Sequence, residues 1–127
     1  MIKAVHHIAI ICSDYEKSKH FYTTVLGLKI IAETYRETRQ SFKLDLALHG
    51  VYTLELFSFP NSPKRPSRPE AVGLRHLAFA VDNLEEEVLS LREKGISVEP
   101  IRTDELTNKR FTFFADPDEL PIEFYEL

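Results

Sequence analysis

The chain of 127 residues has a single cysteine, Cys12, so no internal disulfide can form, which fits a reducing, cytoplasmic setting. Its four glycines build no Gly-rich phosphate loop, and there is no Gly-x-Ser-x-Gly or Cys-x-x-Cys. No apolar run approaches the roughly 18–20 residues of a membrane span. The N-terminus lacks the charged start and cleavage site of a secretory signal. Positive charge is scarce as well: 16 basic against 20 acidic residues give a net charge of −4, and the only basic cluster is Lys64, Arg65 and Arg68. Nucleic acid and membrane are therefore not expected partners.

What the chain does have is apolar residues, at 43%, enough for one domain with a real core, and an internal repeat. Laid over "LRHLAFAVDNLE" (74–85), "VHHIAIICSDYE" (5–16) puts His7 on His76, Ala9 on Ala78 and Glu16 on Glu85. After each of these strands comes a helix-start signal, Ser13-x-x-Glu16 and Asp82-x-x-Glu85. The helices that follow carry Phe21, Tyr22, Val25 and Leu26, then Leu84, Val88 and Leu91, and stop at Gly27 and Gly95. Strands are expected next at 28–36 and 96–102, then at 41–49 and 110–115. The last strands, "TLELF" (53–57) and "PIEFY" (121–125), place Glu55 on Glu123. The pattern predicts an α+β fold of two tandem βαβββ modules, about 4–58 and 74–127, forming a curved mixed sheet with helices outside. A proline-rich linker, 59–73, joins them as an ordered extended connection.

Each module thus carries one His and one Glu inside apolar strands: His7 and Glu55, then His76 and Glu123. Taken singly, a His at a strand start is ordinarily structural, and a Glu in "LELF" ordinarily faces water. Recurrence of both pairs favours a shared purpose. A buried carboxylate is costly unless paired, and a divalent cation relieves that cost. Two imidazoles and two carboxylates neutralise such a cation and suit Zn, Ni, Co, Fe or Mn. Adjacent strand residues point to opposite faces, so His6 and His7 are not expected at one site. Asp45, in "LDLAL", is either a functional acid or a solvated one.

The segments "HHIAI", "FYTTVLGLKI", "LELF", "RHLAFAVDN" and "DPDELPIEFYE" together resemble the vicinal oxygen chelate superfamily, and within it glyoxalase I. "DLALHG", "ELFSFP", "RPSRPEA", "GLRHLAF" and "KRFTFFADPD" are similar to its YaeR-like branch. The resemblance implies one divalent metal ion held by His7, Glu55, His76 and Glu123. It also implies a substrate chelated through two adjacent oxygens and an enediolate-like anion stabilised by the metal. Glu123, with Glu55, would be the catalytic carboxylates, Glu123 the favoured base. The activity implied is that of a lyase or isomerase acting on a small-molecule substrate, and the default assembly a homodimer, the site being either shared between two chains or closed by both modules of one.

Two positions depart from glyoxalase I: Ile11 and Phe59 stand where that family has the arginine and asparagine that contact glutathione. The standard glutathione hemithioacetal is therefore not the expected substrate. Glu119 replaces the usual glycine of the "DPDG" turn. Arg65, Arg68 and Arg110 are candidates to hold an anionic substrate, as are Arg36, Arg39 and Lys109. Two alternatives stay open: an Fe(II) ring-cleaving dioxygenase, which needs only two His and one carboxylate, and a metal-free drug-binding protein like the bleomycin-resistance relatives, which needs no ligands.

Overall fold

Leucines at alternate positions build the first sheet. In the computed structural model, which describes residues 1–127, β3 (Ser41–Leu48) runs antiparallel to β4 (Val51–Ser58). Leu44 faces Leu56 and Leu46 faces Leu54 across this pair, all four buried. The intervening positions, Lys43, Asp45 and Glu55, point to the other face, as the two-residue period of a strand requires. β1 (Ile8–Cys12) joins β4 in parallel and β2 (Lys29–Arg36) joins β3 in antiparallel fashion, giving the order β1-β4-β3-β2. Between β1 and β2 run α1 (Tyr15–His20) and a π-helical turn (Phe21–Val25); α1 packs on β4. This unit covers Met1–Lys64.

The second unit, Arg65–Leu127, repeats the plan. Its elements are β5 (Leu77–Val81), α2 (Leu84–Glu93), β6 (Arg102–Thr103), β7 (Arg110–Ala115) and β8 (Pro121–Glu126), in the order β5-β8-β7-β6. α2 buries Leu84, Val88 and Leu91, and packs on β8. The chain is thus α+β and built of two repeated modules, as the sequence predicts, and each module gives a four-stranded mixed sheet.

Three local expectations are corrected. Both helices are capped one residue later than Ser13 and Asp82. The Asp14 side chain accepts from the Lys17 amide at 3.1 Å, and that of Asn83 from the Glu86 amide at 3.2 Å. The strand expected over 96–102 shrinks to the two residues of β6, because Pro100 has no amide to offer a ladder. Only Glu99 extends the pairing, its amide donating to the Phe113 carbonyl at 3.0 Å. The helix stops hold: Gly27 and Gly95 have φ of +83° and +81°. Glu119 takes the left-handed conformation without being glycine, at φ 66°. The buried Asp116 compensates, accepting from the amides of Asp118 and Leu120, both at 2.9 Å.

The linker has neither helix nor strand over 59–73. Its second part is tied to the second unit: the Ser67 hydroxyl donates to the Glu119 carbonyl at 2.7 Å, and Arg65 donates to Ser67 at 2.6 Å and to the Leu74 carbonyl at 3.0 Å.

Candidate metal centre

In the first unit, β1 and β4 pair Ala9 with Glu55, and β3 and β4 pair Asp45 with Glu55. His7 lies two residues before Ala9, so it shares Glu55's face. The distance from His7 Nε2 to Glu55 Oε1 is 3.8 Å. His6 does not point away from it. Residues 6 and 7 precede β1, where no ladder enforces alternation, and their Nδ1 atoms stand 2.8 Å apart, with both rings against Tyr52.

Glu55 sits in a charged network. A register shift between Leu46 and Ala47 leaves Thr53 unmatched and pairs Tyr52 with Ala47. This bulge turns Tyr52 onto the Asp45 and Glu55 face. The Tyr52 hydroxyl is 2.6 Å from Asp45 Oδ1 and 2.9 Å from Glu55 Oε2, its one proton shared between two carboxylates. Lys43 donates to both oxygens of Asp45 at 2.8 and 3.0 Å and lies 3.4 Å from Glu55 Oε2. Burial first, then the two carboxylates, push the Tyr52 phenol far above its ordinary range. Burial opposes ionisation of Asp45, but the bonds from Lys43 and Tyr52 outweigh it and hold the carboxyl below its ordinary value. The Asp45 hydrogen bond in turn raises Lys43.

In the second unit, β5, β7 and β8 pair Ala78 and Phe113 with Glu123. His76 Nε2 is 2.9 Å from Glu123 Oε2. Arg75 Nη1 lies 2.9 Å from His76 Nδ1. Arginine only donates, so Nδ1 accepts and the proton sits on Nε2, facing Glu123. A cation at Nε2 and Arg75 at Nδ1 therefore exclude each other. The position opposite Glu123 is aromatic here: the Phe113 ring meets His76 edge-on at 5.1 Å, and no lysine or tyrosine hydroxyl reaches Glu123.

Both glutamate side chains are only 13% exposed, which makes an unpaired charge costly. No three His, Cys, Asp or Glu side chains group closely enough to enclose a metal ion. The donors instead come as two separate His/Glu pairs. Each pair, an imidazole and a carboxylate facing one another, fits half the coordination of a divalent transition ion.

The arginines divide. Arg110 clamps α2 to β8, donating to Glu126 at 2.7 and 2.8 Å and to Glu85 at 2.6 and 3.1 Å, so its donors are spent on two carboxylates. That clamp holds the Glu126 carboxyl down at about 2. Arg65 is spent on the linker, as above. Arg36 stacks on Phe57 and Arg39 on Phe59, at 4.9 and 5.2 Å from the ring centres. Arg68 lines a cavity of the second unit together with Arg75 and Arg102. Four neighbours of the His/Glu pairs escape the sequence reading: Lys43, Tyr52, Arg75 and Arg102. For Lys43 a signal exists, since its i, i+2 spacing from Asp45 puts it on the face of the buried acid.

Residues 4–124 match the family described as Glyoxalase/Bleomycin resistance protein/Dioxygenase superfamily. "Uncharacterized protein YwkD" of Bacillus subtilis is 66% identical over 126 residues, covering 99% of this chain and 98% of that protein. "Uncharacterized protein YaeR" of Escherichia coli is 58% identical, covering 98% of this chain and 97% of its own length. A crystal structure of a glyoxalase family protein from Enterococcus faecalis superposes with a TM-score of 0.90 at 48% identity, covering 98% of each chain. More distant are the Metallothiol transferase FosB of Staphylococcus saprophyticus, 27% identical over 98% of this chain and 78% of its own, and the Lactoylglutathione lyase of Schizosaccharomyces pombe, 31% identical over 94% of this chain and 46% of that protein.

Proposed function

From the Glyoxalase/Bleomycin resistance protein/Dioxygenase superfamily, to which this chain belongs, and from its two His/Glu pairs, we propose a divalent-metal-dependent enzyme. Its reaction is proton transfer, of the lyase or isomerase kind, on a small substrate that offers two adjacent oxygens. The observation that carries this reading is the recurrence of an imidazole facing a largely buried carboxylate, His7 with Glu55 and His76 with Glu123. The names of two relatives, a metallothiol transferase and a lactoylglutathione lyase, support metal use and an activity of the lyase kind.

His7, Glu55, His76 and Glu123 together would hold one ion of the Zn, Ni, Co, Mn or Fe class. When bound, that ion supplies Lewis-acid stabilisation of negative charge on the substrate oxygens. The chain's own part is division of labour between its carboxylates. Glu55 is pinned by Tyr52 and neighboured by Lys43, which suits a ligand that stays in place. Glu123 has His76 as its only direct ion-pair contact, Arg75 acting on it from further away, and an aromatic neighbour across the strand, which leaves it freer than Glu55 to swing and carry a proton. Ile11 and Phe59, in place of a polar grip for glutathione, favour a substrate other than its hemithioacetal. Four protein ligands also favour proton transfer over ring cleavage, which calls for more open positions.

The test is carbon-bound hydrogen exchange in D₂O. Metal-loaded protein is offered hemithioacetals of several thiols, α-hydroxyketones and α-hydroxyacids, followed by NMR. One class is expected to exchange in the native protein and not in Glu123→Gln with its metal retained. Exchange undiminished in that variant contradicts the assignment of the base. Oxygen consumption with catechols by the Fe(II)-loaded protein, in place of exchange, overturns the reaction class.

A further inference from the structure

A cavity of about 560 Å³ in the second unit holds His76 and Glu123, and a larger one of about 700 Å³ adjoins it, sharing Arg75, Arg102 and Phe113. From this arrangement we infer that the substrate carries an oxyanion, a carboxylate or a phosphoryl group, bound by the Arg102 guanidinium with Arg75 beside it. The oxyanion subsite deepens the proposed function and rests on it for its meaning, since His76 and Glu123 are taken as the reacting end of the same pocket.

Of the arginines of this unit that make no hydrogen bond, Arg68, Arg92 and Arg102, only Arg102 lines the cavity that holds His76 and Glu123. It is carried on β6 opposite Phe111, on the sheet face that also presents Phe113, Glu123 and His76. Its guanidinium lies over the Phe111 and Phe113 rings, 5.0 and 5.9 Å from their centres. It makes no hydrogen bond, and its nearest carboxylate oxygen, on Glu99, is 3.9 Å away. The two rings stand at 85° to each other, so the guanidinium can lie flat on one at most; they seat it on an apolar wall, and its donors, taken by no hydrogen bond, are left for an oxyanion. Arg110, by contrast, is saturated by two glutamates.

Among the acids of the two cavities only Glu99 comes within ion-pair range of Arg102, at 3.9 Å and beyond hydrogen-bond reach. Asp104 turns into its own loop, accepting from the Leu106 amide at 2.9 Å and from the Tyr125 hydroxyl at 3.4 Å. Glu70 is taken by Arg75, at 2.8 and 3.3 Å. Glu105 is exposed and Glu123 faces His76. The first unit offers no equivalent wall. The places of Phe111 and Phe113 are held there by Lys43 and Asp45, which bond to each other. One module thus braces a ligand carboxylate, and the other presents an unspent cation over an apolar wall.

Phenylphosphonate, a dianion with an aromatic body, is the probe. Metal-free, ¹⁵N-labelled protein is titrated with it while the arginine Nε–H resonances are followed. A saturable shift at Arg102 is expected, with affinity on the order of millimolar. Arg102→Met should weaken it by about 10-fold or more and Arg102→Lys should restore part of the loss, while Arg92→Met, at an exposed position of α2, leaves it unchanged. The backbone amide spectrum of each variant verifies its fold. No saturable shift at Arg102, or native affinity in Arg102→Met, overturns the subsite. Because no metal is present, failure of the metal reading is seen separately, as absent ion uptake, and does not alter this result.

Discussion

Tyr52→Phe is the sharpest probe of the half-site around Glu55. The substitution keeps the ring that packs against His6 and His7 and removes one hydroxyl, which stands 2.6 Å from Asp45 and 2.9 Å from Glu55. A hydrogen bond to a charged group contributes about 1.5–3 kcal/mol. Both carboxylates retain Lys43, at 2.8 Å from Asp45 and 3.4 Å from Glu55, so the low end applies. The metal-free variant should lose about 1.5 kcal/mol, roughly 6 °C in its thermal midpoint. With Glu55 less firmly held, affinity for a divalent ion should fall about 10- to 100-fold, the usual effect of removing a group that orients a ligand. Differential scanning fluorimetry of the metal-free protein gives the first quantity, and competition with a chromophoric zinc chelator gives the second. A variant that melts and binds zinc as the native protein does would refute the claim that Tyr52 holds Glu55 in place.

Further outcomes follow from the second unit. Glu126 is held at about 2, below its ordinary 4.5, chiefly by the hydrogen bond from Arg110. A depressed carboxyl stabilises the fold above its unfolded value and loses that contribution as pH falls towards its folded value. The midpoint difference between native protein and Glu126→Gln should therefore be constant above about pH 5.5 and shrink from there to pH 2; a difference that does not change with pH would contradict the clamp. Glu119→Gly relieves a left-handed residue at φ 66° and should stabilise by about 0.5 kcal/mol, the relief exceeding glycine's greater unfolded-state freedom; destabilisation in urea titration would show that the Glu119 side chain outweighs its backbone strain.

The fold was legible wherever the two modules repeat each other. The offset that superposes His7 on His76 also aligns the helix caps Asp14 and Asn83, one residue less aligns the glycine stops and the two glutamates, and the alternation of leucines with Lys43, Asp45 and Glu55 fixes which face of the first sheet is polar. What escaped depends on single backbone groups or on partners far away in sequence. The facing of Tyr52 hangs on one bulge at Thr53, which no pattern in "VYTLELF" announces. The strand at 96–102 reads as apolar and extended, but Pro100 denies it the ladder. Arg110 offers a charge and nothing more in the sequence, whereas its two acidic partners lie 25 residues before and 16 residues after it. Arg102 looked like any surface arginine until the register of β6 with β7 placed it over two phenylalanines.

The central claim is that the two His/Glu pairs exist to hold a metal ion. Elemental analysis of untagged, dialysed protein, beside Glu55→Gln and His76→Ala, tests it most directly. About one Zn, Ni, Co, Mn or Fe ion per chain is expected in the native protein, with clear loss from both variants. No ion in the native protein, and none taken up from a panel of those five, would contradict it and leave a metal-free binding protein as the reading of the same pocket.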